Sequence, residues 1–158
     1  MFKIFLIFFP TLIFADIHVG NSCFVFLCDT SKEVESRLIE FEQNIQLAEG
    51  VLLRAFKDPR SKSIIYFAAS KDLLDIKLIE NHPLFVKKHS CVERREEGTR
   101  FLFRFEPDGG KCRNCNCLLS PFSVLVDFDG SKTAIVCVFY PKEKGESIAP
   151  LLDSIALR

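Results

Sequence analysis

The sequence has no surplus of charge of either sign, since 21 Lys and Arg residues stand against 21 Asp and Glu residues. Proteins that bind nucleic acid or an anionic membrane surface usually carry a clear positive excess. We therefore expect no nucleic-acid partner. The chain also lacks an apolar run of the roughly 20 residues that a membrane-spanning helix needs, so no membrane span is predicted.

The common motifs of catalysis and cofactor binding are missing as well. There is no His-Glu-x-x-His, no Gly-x-Ser-x-Gly and no glycine-rich phosphate loop. The three histidines, His18, His82 and His89, do not have the spacing of metal ligands. We therefore predict no catalytic residue, no metal and no cofactor, and expect a protein that is not an enzyme.

The start of the chain is its most informative feature. Lys3 precedes an apolar run over 4–14, and Ala15 is a small residue ahead of a polar one. A positive start, a short apolar core and a small residue at the cleavage point are typical of a secretory signal peptide. Residues 1–15 are predicted to be this peptide. The remaining 16–158 are predicted to form a single domain, located in the extracellular space or the lumen of the secretory pathway.

Seven cysteines follow the predicted cleavage point. At this density in an oxidising compartment cysteines normally pair, so up to three disulfides are expected. The odd number leaves one thiol, either buried and inert or bonded to a second molecule in a disulfide-linked dimer. The disulfide candidates are Cys23, Cys28, Cys91, Cys112, Cys115 and Cys117, and the candidate free thiol is Cys137.

Three interpretations compete for the cysteine-rich segment 111–117. A closed zinc site needs four ligands, usually in two spaced pairs, and the segment supplies three thiols. A thiol–disulfide oxidoreductase would use Cys112 and Cys115 as a Cys-x-x-Cys pair. Such pairs open a helix, however, and 118–121 offers almost no helix. A disulfide-tied loop between two strands is therefore the favoured interpretation.

The strongest periodic pattern predicts one long helix over 30–58. Thr30 and Glu33 have the spacing of a capping box, and Asp58-Pro59 is a stop signal. Apolar residues recur between them at steps of three and four, namely at Val34, Leu38, Phe41, Ile45, Ala48, Leu52 and Ala55. This spacing places an apolar stripe on one helical face, and Gly50 is interpreted as a kink within it.

Mainly strands are predicted after Pro59. They cover 63–68, 84–92 and 100–106, while 74–78 is open between a strand and a short helix. Phe101, Phe103 and Phe105 fall on one face of their strand, which is typical of a half-buried strand. The charged residues of 93–97 are interpreted as the solvated end of a hairpin.

The clearest local pattern is a hairpin near the C-terminus. The runs 121–128 and 131–140 flank Asp129-Gly130, a pair typical of a type I′ turn. With this turn the facing pairs are Phe122 with Cys137, Val124 with Ile135 and Val126 with Thr133. Cys137 then lies on an apolar face, which makes it the candidate free thiol.

Together these patterns predict an α+β fold, with one long N-terminal helix packed on a curved, mainly antiparallel sheet and stabilised by disulfides. The order of elements resembles the cystatin-like and nuclear-transport-factor-2-like architectures, in which a sheet wraps around a helix. The resemblance is one of fold alone. The Gln-x-Val-x-Gly hairpin of the protease-inhibiting cystatins has no counterpart here, so inhibition is not implied.

Three functions are compatible with these expectations. The first is a secreted, non-enzymatic binding protein whose partner is an unknown extracellular protein. The second is a carrier of a small apolar ligand, held in a cavity between helix and sheet that the three phenylalanines would line. The third is a thiol–disulfide oxidoreductase that uses Cys112 and Cys115.

Overall fold

A computed structural model describes residues 17–19, 22–27, 29–108, 121–139, 152 and 154–157. In chain order its elements are β1 (Ile17–Val19), β2 (Ser22–Phe26), α1 (Asp29–Arg37), β3 (Ile39–Ala48), β4 (Val51–Lys57), β5 (Ile64–Ser70), α2 (Ile76–Glu80), α3 (Pro83–Val86), β6 (His89–Glu97), β7 (Arg100–Pro107), β8 (Phe122–Asp129), β9 (Lys132–Phe139) and β10 (Ile155–Leu157). Strands therefore dominate the described chain, and its helices are short.

Seven strands form one antiparallel sheet in the order β3-β4-β5-β9-β8-β7-β6. After β5 the chain passes through α2 and α3 to the far edge, and then returns strand by strand until β9 pairs with β5. A second, three-stranded antiparallel sheet has the order β1-β2-β10. This topology leaves β3 and β6 as the two edges of the large sheet.

The large sheet is covered on both faces at its centre. On one face the small sheet packs against it, with Phe24 and Phe26 in ring contact with Phe67. On the other face α2 and α3 contribute Ile79 and Phe85 to a second apolar cluster. Strand β9 is consequently buried without interruption from residue 133 to 138, because neither of its faces meets solvent.

The prediction of a long helix over 30–58 is wrong. Helix α1 ends at Arg37, and the residues after it form the β3–β4 hairpin. Gly50 lies in the turn with φ +72°, a left-handed conformation foreign to a helix interior. The segment also carries a period of two, with apolar residues at 39, 41, 45 and 47 and polar ones at 40, 42, 44 and 46. Pairing of β4 with β5 favours that second pattern.

The expected stabilisation by disulfides is not found. Among the described residues there is no disulfide, and Cys91 and Cys137 are both free thiols. The side chains of the other cysteines lie outside the described residues, namely those of Cys23, Cys28, Cys112, Cys115 and Cys117. The α+β expectation is thus corrected to a largely antiparallel β structure, and among the described residues no sheet wraps around a long helix.

The C-terminal hairpin is confirmed, but its turn starts one residue later than predicted. Asp129 pairs with Lys132, so the turn begins at Gly130. Gly130 has φ +60° at this first position, as a type II′ turn requires. The facing pairs shift by two residues, which brings Val124 opposite Cys137. A shift of two keeps every side chain on its face, so Cys137 still points into the core.

The remaining predicted elements hold in part. Strands β5 and β7 form where 63–68 and 100–106 were predicted. The open segment 74–78 contributes to α2, whose N-cap is Asp75. The predicted strand 84–92 divides into α3 and the start of β6.

Candidate binding site

Cys137 lies in the middle of the large sheet, where β9 pairs with both β5 and β8. It is fully buried, and this burial raises the pKa of its thiol well above the usual range. A thiol becomes a nucleophile only when it is deprotonated. Cys137 is therefore a packing residue in the folded protein.

Cys91 lies in β6 and is exposed at the residue level. Its Sγ is 3.3 Å from the backbone oxygen of Glu93 and donates a weak hydrogen bond to it. Partial desolvation of the thiol raises the pKa of Cys91, so the protonated form is favoured. Neither described cysteine is thus an activated thiolate.

The phenylalanines expected to line a ligand cavity are part of the core. Phe103 and Phe105 are fully buried, and Phe105 stacks on Phe122 with ring centroids 4.8 Å apart. Phe85 of α3 approaches Phe105 to 5.9 Å and fills the space between helix and sheet. Phe101 is half-buried and touches Phe128 at 5.7 Å. This packing gives no support to the carrier hypothesis.

A small pocket lies beside the β6 edge of the sheet. It is lined by Arg95, Glu97, Arg100, Leu102 and Leu125, and its volume is about 20 Å³. That space is enough for one water molecule. The leucines come from β7 and β8, and the charged side chains come from β6 and the first residue of β7, so the pocket is an apolar recess with a charged rim.

One wall of the recess is fixed by Arg100. Its guanidinium lies 3.6 Å from a carboxylate oxygen of Asp127 and donates a hydrogen bond of 2.7 Å to the backbone oxygen of Ile155. Burial raises the pKa of Asp127, and the positive charge of Arg100 opposes that effect. Arg100 thereby ties the small sheet to the β7 end of the large one.

Strand β6 is an edge strand, and within the described chain it pairs with β7 alone. All residues from Ser90 to Glu97 are exposed. The five pairs from Glu93 to Glu97 follow one another without a register shift. A regular edge of this kind presents a row of backbone N–H and C=O groups to the outside of the sheet.

Residues Glu93–Glu97, which we call the charged edge, carry charges of both signs on both faces. Glu93, Arg95 and Glu97 share the face of the small sheet, because Arg95 stands opposite Leu102. Arg94 and Glu96 share the face of α2 and α3. Ion pairs run along the strand, with Arg95–Glu93 at 3.3 Å, Arg95–Glu97 at 4.0 Å and Arg94–Glu96 at 3.6 Å.

The side chain of Arg94 is held in place by two aromatic rings of β7 and by a carboxylate of α2. Its guanidinium carbon lies 5.7 Å from the ring centroid of Phe101 and 5.8 Å from that of Phe103. Glu80 of α2 approaches its Nε to 3.5 Å. Cation–π contacts and an ion pair together restrict the conformations of this side chain. The positive charge therefore has a defined position at the edge.

Sequence reasoning recognised the residues of the charged edge but not their place in the sheet. Interpretation as a solvated hairpin end is correct for β6 and β7 taken alone. The order Glu-Arg-Arg-Glu-Glu over 93–97 was the available signal, since on a strand it places charges of alternating sign along each face. The oxidoreductase hypothesis rests on Cys112 and Cys115, which lie outside the described residues.

Comparison of the chain with family models, with curated proteins and with solved structures finds no match. In the described part of the chain, no three His, Cys, Asp or Glu side chains are grouped so that they could hold a metal ion. Across the same residues, no helix has the length and apolar character needed to cross a membrane.

Proposed function

We propose that this chain is a secreted, non-enzymatic binding protein that recognises another protein through the charged edge. The observation that carries the proposal is the structure of the charged edge, a run of five exposed edge-strand residues paired without a register shift, with charges of both signs in defined positions. Complementary charges across an interface accelerate encounter and exclude wrong partners.

The positioning of the charges supports a binding role. A side chain that is already restricted loses less conformational entropy when a partner arrives. Arg94, packed on two aromatic rings and paired with Glu80, is restricted in this way. A charge that serves solubility alone needs no such support.

Secretion is supported by the sequence of residues 1–15, and expression of the full chain tests it. The full chain, expressed with its own N-terminus and a C-terminal tag, is expected in the secretory lumen or culture fluid with Asp16 as its first residue. N-terminal sequencing and fractionation measure this outcome. A cytosolic product that keeps residues 1–15 would contradict secretion.

Binding is tested by screening the purified protein against a displayed library of protein fragments. We expect selected fragments to bind an Arg94→Ala, Arg95→Ala double variant about tenfold more weakly than the wild type. The matched control is Lys57→Ala with Lys71→Ala, which also removes two exposed positive charges but lies outside β6. If both double variants bind equally well, the interface lies elsewhere and the proposal is wrong.

A further inference from the structure

The backbone geometry of β6 determines which of its groups point outward. Hydrogen-bonded and non-hydrogen-bonded pairs alternate along an antiparallel ladder. Glu97 and Arg100 flank the two-residue turn between β6 and β7 and therefore form a hydrogen-bonded pair. By alternation Arg95 also bonds to β7, whereas Arg94 and Glu96 direct their N–H and C=O groups away from it.

The opposite edge of the sheet offers no equivalent template. Pairing of β3 with β4 is interrupted by register shifts between Phe41 and Ile45 and between Gln46 and Ala48. Such irregularities twist an edge and break its row of outward backbone groups. Strand β6 has one such shift of its own, between Cys91 and Glu93, and the continuous row of outward groups is confined to the charged edge that follows it.

We propose that the charged edge binds an extended strand of another polypeptide, which joins the large sheet antiparallel to β6. This inference rests on the proposed function and specifies its partner. Backbone hydrogen bonds to Arg94 and Glu96 would supply affinity, as in other cases of strand addition. The antiparallel direction continues the pairing of the whole sheet and is the slightly more stable one.

The charges of β6 define the chemistry of the partner strand. Residues directly opposite each other across a strand pair share a face and interact. The partner therefore carries, in its own N-to-C direction, a basic, basic, acidic, acidic, basic order opposite Glu97, Glu96, Arg95, Arg94 and Glu93. The acidic residue opposite Arg95 belongs to a non-hydrogen-bonded pair, in which side chains approach most closely.

The same charges account for selectivity. Charged residues on an edge keep unrelated apolar strands from adding to it. Here both signs occur in a fixed order, so a strand with the wrong order meets like charges and is rejected. Backbone bonds would thus provide affinity, while side chains decide which strand is accepted.

Two fluorescent peptides test the charge order against the full-length protein by anisotropy. One is Thr-Val-Lys-Lys-Glu-Glu-Lys-Val-Thr, and the other has every charge reversed. We expect the first to bind about tenfold more tightly or better, and added salt to reduce the difference. The Arg95→Glu variant should instead prefer a third peptide, which differs from the first only in carrying Lys opposite position 95.

A proline at position 96 tests strand addition itself. Glu96→Pro removes an outward N–H while leaving the bonds to β7, a placement that edge strands tolerate. We expect it to abolish binding of the first peptide, whereas the control Glu96→Gln keeps the backbone and weakens binding only a few-fold. Circular dichroism and thermal unfolding show whether each variant is folded. The Arg95→Glu variant tests binding at the charged edge independently, because it does not depend on a proline.

Equal affinity for the two peptides, or unchanged binding by folded Glu96→Pro, overturns strand addition. If library fragments still depend on Arg94 and Arg95 in that case, the proposed function stands and the partner binds side chains alone. A dimer in sedimentation that Glu96→Pro dissociates would assign the edge to a second copy of this chain, and it would also overturn the inference.

Discussion

Strand β3 at one edge of the large sheet is anchored at both of its ends. Strand β6 at the other edge is anchored at its start, where His89 packs against Phe122, and its far end is held chiefly by the ladder with β7. Ahead of β3, Arg37 donates hydrogen bonds of 2.7 and 3.0 Å to Asp58. At its end, His82 Nε2 lies 2.7 Å from the backbone oxygen of Leu47. Polar groups at the two ends of β3 thus serve the fold, while the ion-paired side chains of the charged edge face solvent, where a partner can reach them.

The ion pair of Arg37 with Asp58 is the strongest of these contacts. Its residue is 1% exposed, and its carboxylate also accepts hydrogen bonds from the Ser61 hydroxyl and the Arg60 N–H. Burial alone would raise the pKa of Asp58, but the hydrogen bonds from Arg37, Ser61 and Arg60 outweigh it and hold the pKa at about 2. The carboxylate therefore joins α1 to the turn between β4 and β5.

The largest expected effect comes from breaking this contact. Asp58→Ala leaves Arg37 without its partner and should lower the free energy of unfolding by about 3 kcal/mol. Urea unfolding measures the loss. The control is Glu40→Ala, which removes an ion pair of Arg54 whose carboxylate is far more exposed than that of Asp58 and should cost about 0.5 kcal/mol. Equal losses would show that the β3 edge is not fastened at Asp58.

The same contact predicts a loss of stability in acid. The pKa of Asp58 is about 2 in the folded protein against an ordinary 3.8. Because folding lowers this pKa, the stabilisation is complete above about pH 4 and disappears as the pH falls toward 2, by about 2 kcal/mol. The stability gap between wild type and Asp58→Asn should therefore narrow from pH 6 to pH 2. A constant gap would contradict the assignment.

Removal of His82 is expected to have a smaller effect. Its Nδ1 accepts a hydrogen bond of 3.1 Å from the Leu84 N–H and caps α3, while Nε2 donates to the Leu47 oxygen. His82→Ala loses both bonds, which should cost about 1–2 kcal/mol in urea unfolding. His82→Asn retains capping ability and should recover part of the loss. No difference between the two variants would exclude capping as the main role.

The smallest effect on stability is expected at the charged edge. Arg95 and its partner Glu93 are each 43% exposed, so Arg95→Ala should change the free energy of unfolding by about 0.5 kcal/mol or less. The same variant should bind the first peptide several-fold more weakly. If unfolding instead shows a loss above about 1 kcal/mol, Arg95 stabilises the fold and the contrast between the edges fails.

Local patterns in the sequence predict hairpins well and the long element poorly. The β8–β9 hairpin follows from two apolar runs around a glycine-containing turn, and only the position of the turn is wrong. The segment 34–55 satisfies a helical and a strand period at once, so its own residues do not decide between them. Pairing with β5 decides, and that contact is not visible in the local pattern.

The candidate site could not be predicted from the sequence for a related reason. Whether β6 is an edge depends on the order of strands, which is set by the pairing of Ile64–Ser70 with residues 133–139. That junction joins positions about half the chain apart, and both partners are plain apolar runs that fit many neighbours. The sequence shows the charges of the edge, but it does not show which strands lie beside β6.

The two described thiols differ in exposure, so their rates of alkylation can be compared within one protein. Cys91 lies at the rim, where an alkylating reagent meets it in the native state, and Cys137 lies at the centre of the sheet, where the reagent arrives only after β9 has opened. Mass mapping of both peptides over time records the dose of reagent at one site and the opening of the core at the other. Alkylation of these two native thiols thus measures how often the core opens, with no cysteine introduced by mutation.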